Sequence, residues 1–272
     1  MSDKAISLPD EILPGAVHMF DTHAHYDDEK LAPVIHTLLP EIFASGVDYI
    51  LNAGTNPDTS RHSLELAERY PGIYAACGMH PGDSGRYGSP DDYLPLLEEQ
   101  LKHPKCVALG ETGLDYHYDF TDRETQRIWL YAQLELAEKT GKPVIMHNRD
   151  AHGDCMDAVR RYPNVTGVFH SFSGSRETAA ELVEMGWYIS FSGVVTFKNA
   201  GRVREVARSI PDDRILIETD CPYMTPVPFR GRTNHSGYMQ YTAAELASLR
   251  GMELDEFCAL TCENGKRLYR IN

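Results

Sequence analysis

Two histidines near the start of the chain, His23 and His25, are separated by one residue and follow the apolar run Val17–Phe20. Such a run is typical of the end of a buried strand, and residues i and i+2 of an extended segment point to the same side. Two imidazoles that project together are suited to holding one divalent metal ion. Taken alone, a His-x-His pair is more often two exposed loop histidines, so the prediction depends on the rest of the chain.

Four further apolar runs end in a residue that can bind a metal ion. A single residue of this kind is more often structural, as a hydrogen-bonded histidine, a salt-bridged carboxylate or a helix cap. Together with the first pair, however, they give four imidazoles and two carboxylates, a set suited to a hydrolytic site with one or two metal ions. The predicted ligands are His23, His25, Glu111, His147, His170 and Asp220.

One pattern repeats along the chain, namely an apolar strand, a polar loop and an amphipathic helix. Eight such strands predict an α/β fold of the (β/α)8 TIM-barrel type. In a closed barrel the eighth strand lies beside the first and all strand ends face one mouth, whereas a doubly wound sheet would spread the first and last ligands far apart. The predicted strands are Val17–Phe20, Asp48–Asn52, Ile73–Cys77, Cys106–Gly110, Val144–Met146, Thr166–Phe169, Trp187–Ser190 and Arg214–Glu218.

The clearest predicted helix runs from Asp122 to Thr140. Thr121 and Glu124 have the spacing of a capping box at its start, and Gly141 marks its end. The apolar residues between these limits recur at helical spacing, which indicates core packing.

The chain has 272 residues, without a composition break, so we predict a single barrel domain with an N-terminal extension of residues 1–13 on the surface. Six scattered cysteines, no signal-peptide pattern and no membrane span favour a cytoplasmic protein. No obligate protein partner is evident. The net charge of −14 argues against broad adhesion to nucleic acid, but it leaves open a nucleic-acid substrate held locally.

Six motifs occur in order along the chain, from Asp21–His25 to Glu218–Tyr223. They resemble the successive signatures of the TatD-related metal-dependent hydrolases. The resemblance spans about positions 19 to 270 and ends with Asn264–Leu268. It implies a (β/α)8 barrel, divalent metal ions and hydrolysis of phosphodiester bonds, with DNA or another nucleic acid as substrate. The motifs are Asp21–His25, Gly78–Pro81, Gly110–Tyr116, Pro143–Ala151, Phe169–Gly174 and Glu218–Tyr223.

With this resemblance, the ligand set implies two metal ions. His23, His25 and Asp220 would hold one ion, and His147 and His170 the second. Glu111 would lie between the two ions. Their identity stays open among Zn, Co, Ni, Mn and Mg, because imidazole-rich sites favour the first three and oxygen-rich sites the last two.

Catalytic roles are expected for Asp220, Glu111 and His80. Asp220 is placed to orient a water molecule and to accept its proton. His80 would contact a phosphate or stabilise the leaving group, although an ordinary loop histidine beside Pro81 fits the sequence as well.

Three arginines, Arg149, Arg230 and Arg232, are expected to contact substrate phosphates. Arg149 has an alternative, an ion pair with Asp150 or Asp157. The loop of Arg230 and Arg232 departs from the family pattern, since His235 and Ser236 stand where an acidic residue and a proline usually follow the asparagine.

Two other functions are compatible with the sequence. A related barrel could hydrolyse a small ester, lactone or amide, which the acidic composition favours. A catalytically silent scaffold would be expected to lack a ligand, and none of the six is missing.

Overall fold

The computed structural model describes residues 6–118 and 120–271 of the chain. Within these residues, eight strands form one sheet, in which the spatial order follows the chain order and neighbouring strands are parallel. All eight predicted strands are present. They are β1 (Met19–Ala24), β2 (Val47–Ala53), β3 (Ile73–Cys77), β4 (Cys106–Asp115), β5 (Val144–Arg149), β6 (Gly167–Phe169), β7 (Tyr188–Phe191) and β8 (Ile215–Ile217).

The sheet closes where β1 meets the segment that follows β8. The Thr22 hydroxyl donates to the carbonyl of Ile217 at 2.8 Å. Beyond it, the Asp220 amide donates to the carbonyl of His23, and the His25 amide donates to the carbonyl of Cys221, both at 2.9 Å. The predicted (β/α)8 barrel is therefore confirmed.

The α-helices lie between successive strands and after β8. None in the described part of the chain is long and apolar enough to cross a membrane. They are α1 (Ile35–Ala44), α2 (Pro57–Arg69), α3 (Pro81–Ser84), α4 (Pro90–Leu101), α5 (Arg123–Thr140), α6 (His152–Arg161), α7 (Arg176–Glu184), α8 (Gly201–Ser209), α9 (Met239–Arg250) and α10 (Leu254–Tyr269).

Helix α5 has nearly the predicted length, but the predicted capping box is wrong. The N-cap is Asp122, whose carboxylate accepts from the backbone N–H of Thr125 at 3.0 Å. Thr121 is unavailable for this role, because its hydroxyl accepts from the amide of Gly85 in the neighbouring loop. A long-range contact has thus displaced the cap by one residue.

A cluster of buried side chains with at least one member from each strand fills the barrel interior. A larger cluster packs the outer faces of the strands against the helices. Because side chains alternate along a strand, His147 lies two residues beyond interior Ile145 and points toward the mouth on the same side. The interior residues are Phe20, Leu51, Ala76, Ala108, Ile145, Val168, Tyr188 and Leu216.

The predicted N-terminal extension lies against the loop that precedes α9. Leu13 donates its amide to the Gln240 side chain at 2.6 Å. The carbonyl of Ser7 accepts from the His235 ring at 3.0 Å. Residues 1–5 of the predicted extension lie outside the described residues.

Candidate metal centre

The six predicted ligands lie together at the carboxyl-terminal mouth of the barrel. The sequence placed all of them at or after strand ends, but three lie inside strands, because the extended pairing continues past the apolar runs. Those three are His23 in β1, Glu111 in β4 and His147 in β5, whereas His25, His170 and Asp220 follow β1, β6 and β8.

Glu111 lies at the centre of the group, and its two carboxylate oxygens face different histidines. Its Oε2 is 3.3 Å from Nε2 of His23 and 3.4 Å from Nε2 of His25. Its Oε1 is 2.7 Å from Nδ1 of His147 and 3.0 Å from Nε2 of His170. The side chain is almost completely buried. A carboxylate in this position can be shared by two ions.

Asp220 lies on the same side of Glu111 as His23 and His25. Its Oδ1 lies 3.5 Å from Nε2 of His25 and 3.8 Å from Nε2 of His23. The two histidine nitrogens are themselves only 3.0 Å apart. The prediction that His23 and His25 project to one side of the strand is therefore confirmed.

In His25 and His147, the ring nitrogen that points away from Glu111 makes a hydrogen bond. This bond determines which nitrogen of each ring faces the centre. His25 directs Nδ1 at the carbonyl of Ala53, 2.9 Å away, so its proton lies there and Nε2 is free to bind an ion. His147 directs Nε2 at Asp115 Oδ2, 3.2 Å away, which leaves Nδ1 facing Glu111. Such partners behind ligating histidines are usual in metal sites.

His170 has a comparable partner in Glu218, since its Nδ1 lies 3.4 Å from Glu218 Oε1. Glu218 is completely buried. Glu218 and Asp115 were not predicted to take part in the site, although both lie within the motifs that carry the resemblance. The signal in the sequence was an acidic residue within four positions of a predicted ligand, namely Glu218 before Asp220 and Asp115 after Glu111.

Burial and the carboxylates act in opposite directions on these histidines. Burial alone would lower the pKa of His25, but Asp220 and Glu111 raise it well above its ordinary value. Burial would likewise raise the pKa of Glu111, yet the adjacent charge of His170 holds it well below the usual range. The centre therefore favours positive charge in the midst of ionised carboxylates.

The donor set fits divalent metal ions. Ring nitrogens of His25, His147 and His170 converge with the carboxylates of Glu111 and Asp220. The positive charge that these carboxylates favour would be supplied by a divalent cation bound to the deprotonated ring nitrogens. Three overlapping triplets of donor atoms, each within 4.8 Å of one another, lie in this region. They are His23–His25–Asp220, His23–Glu111–His170 and His80–Glu111–His147.

His80 differs from the other histidines of the centre. Its Nδ1 accepts a hydrogen bond from the amide of Gly82 at 3.0 Å, so the proton of the neutral ring lies on Nε2. Burial lowers the pKa of His80 to about 4, although Glu111 opposes the shift. Nε2 lies 3.6 Å from Glu111 Oε1. His80 is thus arranged as a hydrogen-bond donor at the edge of the centre.

A cavity of about 690 Å³ opens over these ligands. Arg149 lines it, and neither alternative ion pair is formed among the described residues, because Asp150 pairs with His117 and Asp157 with Arg160. Arg230 and Arg232 do not line the cavity. The Arg230 guanidinium lies over the ring of Phe197, in the segment after β7, and that of Arg232 lies over the ring of Phe229, in the loop after β8.

Comparisons with known proteins agree with this geometry. The sequence model of the TatD related DNase family matches residues 20–270. The chain is 41% identical to the uncharacterized metal-dependent hydrolase YabD of Bacillus subtilis, over 93% of this chain and all of that protein. It is 32% identical to the 3'-5' ssDNA/RNA exonuclease TatD of Salmonella typhimurium, over 93% of this chain and 99% of that protein.

A solved structure gives the same result. The crystal structure of YjjV, a TatD homologue from Escherichia coli, superposes with a TM-score of 0.88 at 31% identity, covering 94% of this chain and all of the other. The barrel, the cluster of histidines and carboxylates and the match over residues 20–270 lead to one conclusion. The chain belongs to the TatD-related family and is a metal-dependent hydrolase.

Proposed function

We propose that the protein is a nuclease that hydrolyses phosphodiester bonds of single-stranded DNA, using two divalent metal ions. The observation that carries the proposal is that the two carboxylate oxygens of Glu111 face different pairs of histidines. One oxygen faces His23 and His25, and the other faces His147 and His170. Paired metal sites sharing one carboxylate are suited to clamping the attacking and leaving oxygens of a phosphoryl group.

Bound divalent metal ions would lower the pKa of water in the site and polarise a phosphoryl oxygen. Asp220 accepts the proton of the attacking water. Burial would raise the pKa of Asp220, but hydrogen bonding to His25 and the charge of nearby histidines hold it below its ordinary value, so the carboxylate is ionised. It also lies on the cavity wall, where water and substrate enter.

His80 and Arg149 contact the substrate from the cavity wall. His80 presents an Nε2–H donor toward the centre and stabilises the leaving oxygen by a hydrogen bond. Arg149 supplies a positive charge for a flanking phosphate. Arg230 and Arg232 lie outside the cavity, so their predicted contacts concern only parts of a substrate that extend beyond it.

The shape of the mouth supports single-stranded substrate. A cavity of about 690 Å³ holds a few groups of a flexible strand, whereas an intact duplex is too wide to enter a concave barrel mouth. One relative is named a 3'-5' ssDNA/RNA exonuclease, and we propose the same substrate class here. The six cysteines are free and buried, which supports the proposed cytoplasmic location.

Hydrolysis of a small ester, lactone or amide is the second candidate. It is favoured by the cavity wall, on which six carboxylates face two arginines, Arg86 and Arg149. The carboxylates are Asp27, Asp28, Asp83, Glu111, Asp115 and Asp220.

The test is an assay of purified protein on labelled single-stranded and duplex oligonucleotides, with Mg, Mn, Co, Ni or Zn added. A panel of small esters, lactones and amides is assayed in parallel, and Asp220→Asn is the inactive control. We expect metal-dependent shortening of single strands, faster than of blunt duplexes. Rapid hydrolysis of a small substrate without cleavage of any oligonucleotide would replace the nuclease with the second candidate.

A further inference from the structure

Three of the exposed large hydrophobic side chains line the cavity, namely Tyr118, Phe120 and Tyr223. Phe120 is 68% exposed, more than any other large hydrophobic side chain in the described part of the chain. Single exposed hydrophobic residues are common, but adjacent ones inside a functional cleft indicate a binding surface. Tyr118 and Phe120 lie next to each other on the loop after β4, and both line the cavity.

The two rings form a layered stack. Their centroids lie 5.1 Å apart and their planes differ by 18°. The guanidinium of Arg149 lies over the Tyr118 ring, 4.7 Å from its centroid, and the His117 ring meets Tyr118 edge-on. Contacts on several sides hold Tyr118, whereas Phe120 leaves most of its surface to the cavity.

The same carboxylate positions this stack and one of the predicted metal ligands. Asp115 Oδ1 accepts from the amides of His117 and Tyr118 at 2.9 and 3.1 Å. Asp115 Oδ2 faces Nε2 of His147 at 3.2 Å. The position of the Tyr118 backbone is therefore fixed relative to the metal centre.

Phe120 also lies close to the side of the centre formed by His80. A Cβ atom added to Gly82 would lie 3.6 Å from Cδ2 of Phe120 and 3.1 Å from Nδ1 of His80. The amide of Gly82 donates to that same nitrogen. The Phe120 ring is thus separated from His80 by a single glycine.

We propose that Phe120, supported by Tyr118, is a stacking platform for the nucleobase next to the phosphate held at the metal centre. This inference rests on the proposed nuclease function. Every base has a flat π face, so stacking on an aromatic ring retains a single strand without reading its sequence. A base paired within a duplex cannot turn onto the ring, which gives the site its preference for unpaired ends.

The charge of the cavity agrees with a base in this position. The cavity wall also carries Asp27, Asp28 and Asp83, which are not among the predicted metal ligands, and these carboxylates repel a phosphate that has no cation close to it. A neutral, flat base experiences no such repulsion. Arg149, over the Tyr118 ring, is placed for a flanking phosphate, and the exposed Phe120 ring is placed for the uncharged base.

The test compares single-stranded oligonucleotides that carry either a normal nucleotide or an abasic one at the 3' or the 5' end. We expect the wild-type protein to cleave the normal substrate with a kcat/KM about tenfold higher than the abasic one at one of the two ends. In Phe120→Ala this ratio falls toward one, and Phe120→Trp restores it. Tyr131→Ala is the matched control, because the Tyr131 ring lies outside the cavity, tilted against Tyr162 and with the guanidinium of Arg161 over it.

A binding readout accompanies the rates. Oligonucleotides with 2-aminopurine at the same end are titrated with protein in Ca²⁺ buffer, and stacking quenches their fluorescence. We expect quenching with the wild type and with Tyr131→Ala, and its loss with Phe120→Ala. Equal slowing of normal and abasic substrates by Phe120→Ala, with quenching retained, would overturn the platform while the nuclease stands. A wild-type protein that cleaves no oligonucleotide would overturn both.

Discussion

The hydroxyl of Ser236 donates a hydrogen bond to Oδ2 of Asp21 at 2.6 Å, between two fully buried residues that lie 215 positions apart. Thr219 gives Asp21 two more bonds, from its amide and its hydroxyl. Burial raises the pKa of Asp21 to about 7 against the opposing effect of these bonds. Ser236, one of the two departures from the family pattern, thus connects the loop before α9 to β1, two residues from His23.

Ser236→Ala is expected to destabilise the protein by about 1–3 kcal/mol, because it removes a donor from a buried acceptor. Urea denaturation of both proteins in chelator measures the difference. Ser209→Ala is the control, since its hydroxyl makes only a local bond to Val206 at the end of α8. A free energy of unfolding equal to that of the wild type would show that the Asp21 contact contributes nothing.

His235 is the second departure from the family pattern. Because its ring is buried, we expect the stability of the protein to depend on the protonation of this residue. Burial lowers the pKa of His235 to about 4, whereas the unfolded chain takes up this proton near pH 6.5. Between these values the unfolded state binds the proton and the native state does not. The contribution of His235 to stability therefore falls by about 3 kcal/mol as the pH drops from about 6.5 to 4.

His235→Gln keeps a donor for the carbonyl of Ser7 without a group that titrates in this range, so its stability should fall less over the same interval. Unfolding in urea from pH 7 to pH 4, in chelator, measures both proteins. The other histidines titrate in both, and the difference isolates His235. Parallel pH profiles would contradict a buried neutral ring at this position.

Metal uptake should depend on Glu111. Glu111→Gln preserves the shape of the side chain but removes the charge shared by the two halves of the centre, so we expect it to lower the metal content from two ions toward one or none. Elemental analysis after dialysis measures the content, and a rise in Tm on adding metal reports binding. Glu98→Gln, at a half-buried carboxylate paired with Lys139 and outside the cavity lining, is the control and should keep both ions.

Asp220→Asn should lower kcat by about 10² to 10⁴, because asparagine cannot accept the proton of the attacking water. The metal content must be measured on the same sample, since Asp220 also lies 3.5 Å from His25 Nε2. Near-native turnover with full metal occupancy would exclude Asp220 as the general base.

Binding of single-stranded oligonucleotide should weaken only gently with salt. The cavity offers two arginines, so about one or two phosphates are neutralised by protein cations, which gives a slope of about −0.7 to −1.4 in log Kobs against log salt. Arg149→Ala should reduce the magnitude of this slope by about 0.7. Fluorescence anisotropy in Ca²⁺ buffer measures it. A steep slope, unchanged in Arg149→Ala, would indicate a basic binding surface elsewhere.

The sequence alone was sufficient to predict the barrel and the group of residues at its mouth. A repeated pattern of apolar strands and amphipathic helices encodes the fold, because both patterns are local along the chain. The spacing of His23 and His25 and the positions of the other ligands after apolar runs are local as well. Parallel strands bring their carboxyl ends together, so these residues were predictable as one group.

The tertiary structure decided what each of these groups contacts. Asp115 and Glu218 contact the outer nitrogens of His147 and His170. Arg149 lies on the Tyr118 ring and not against Asp150. Thr121 bonds to Gly85 and does not cap α5. Such contacts depend on the register in which distant strands and loops meet. Ser236 could be assigned to Asp21 only after the barrel had closed, because no local pattern specifies a partner 215 residues away.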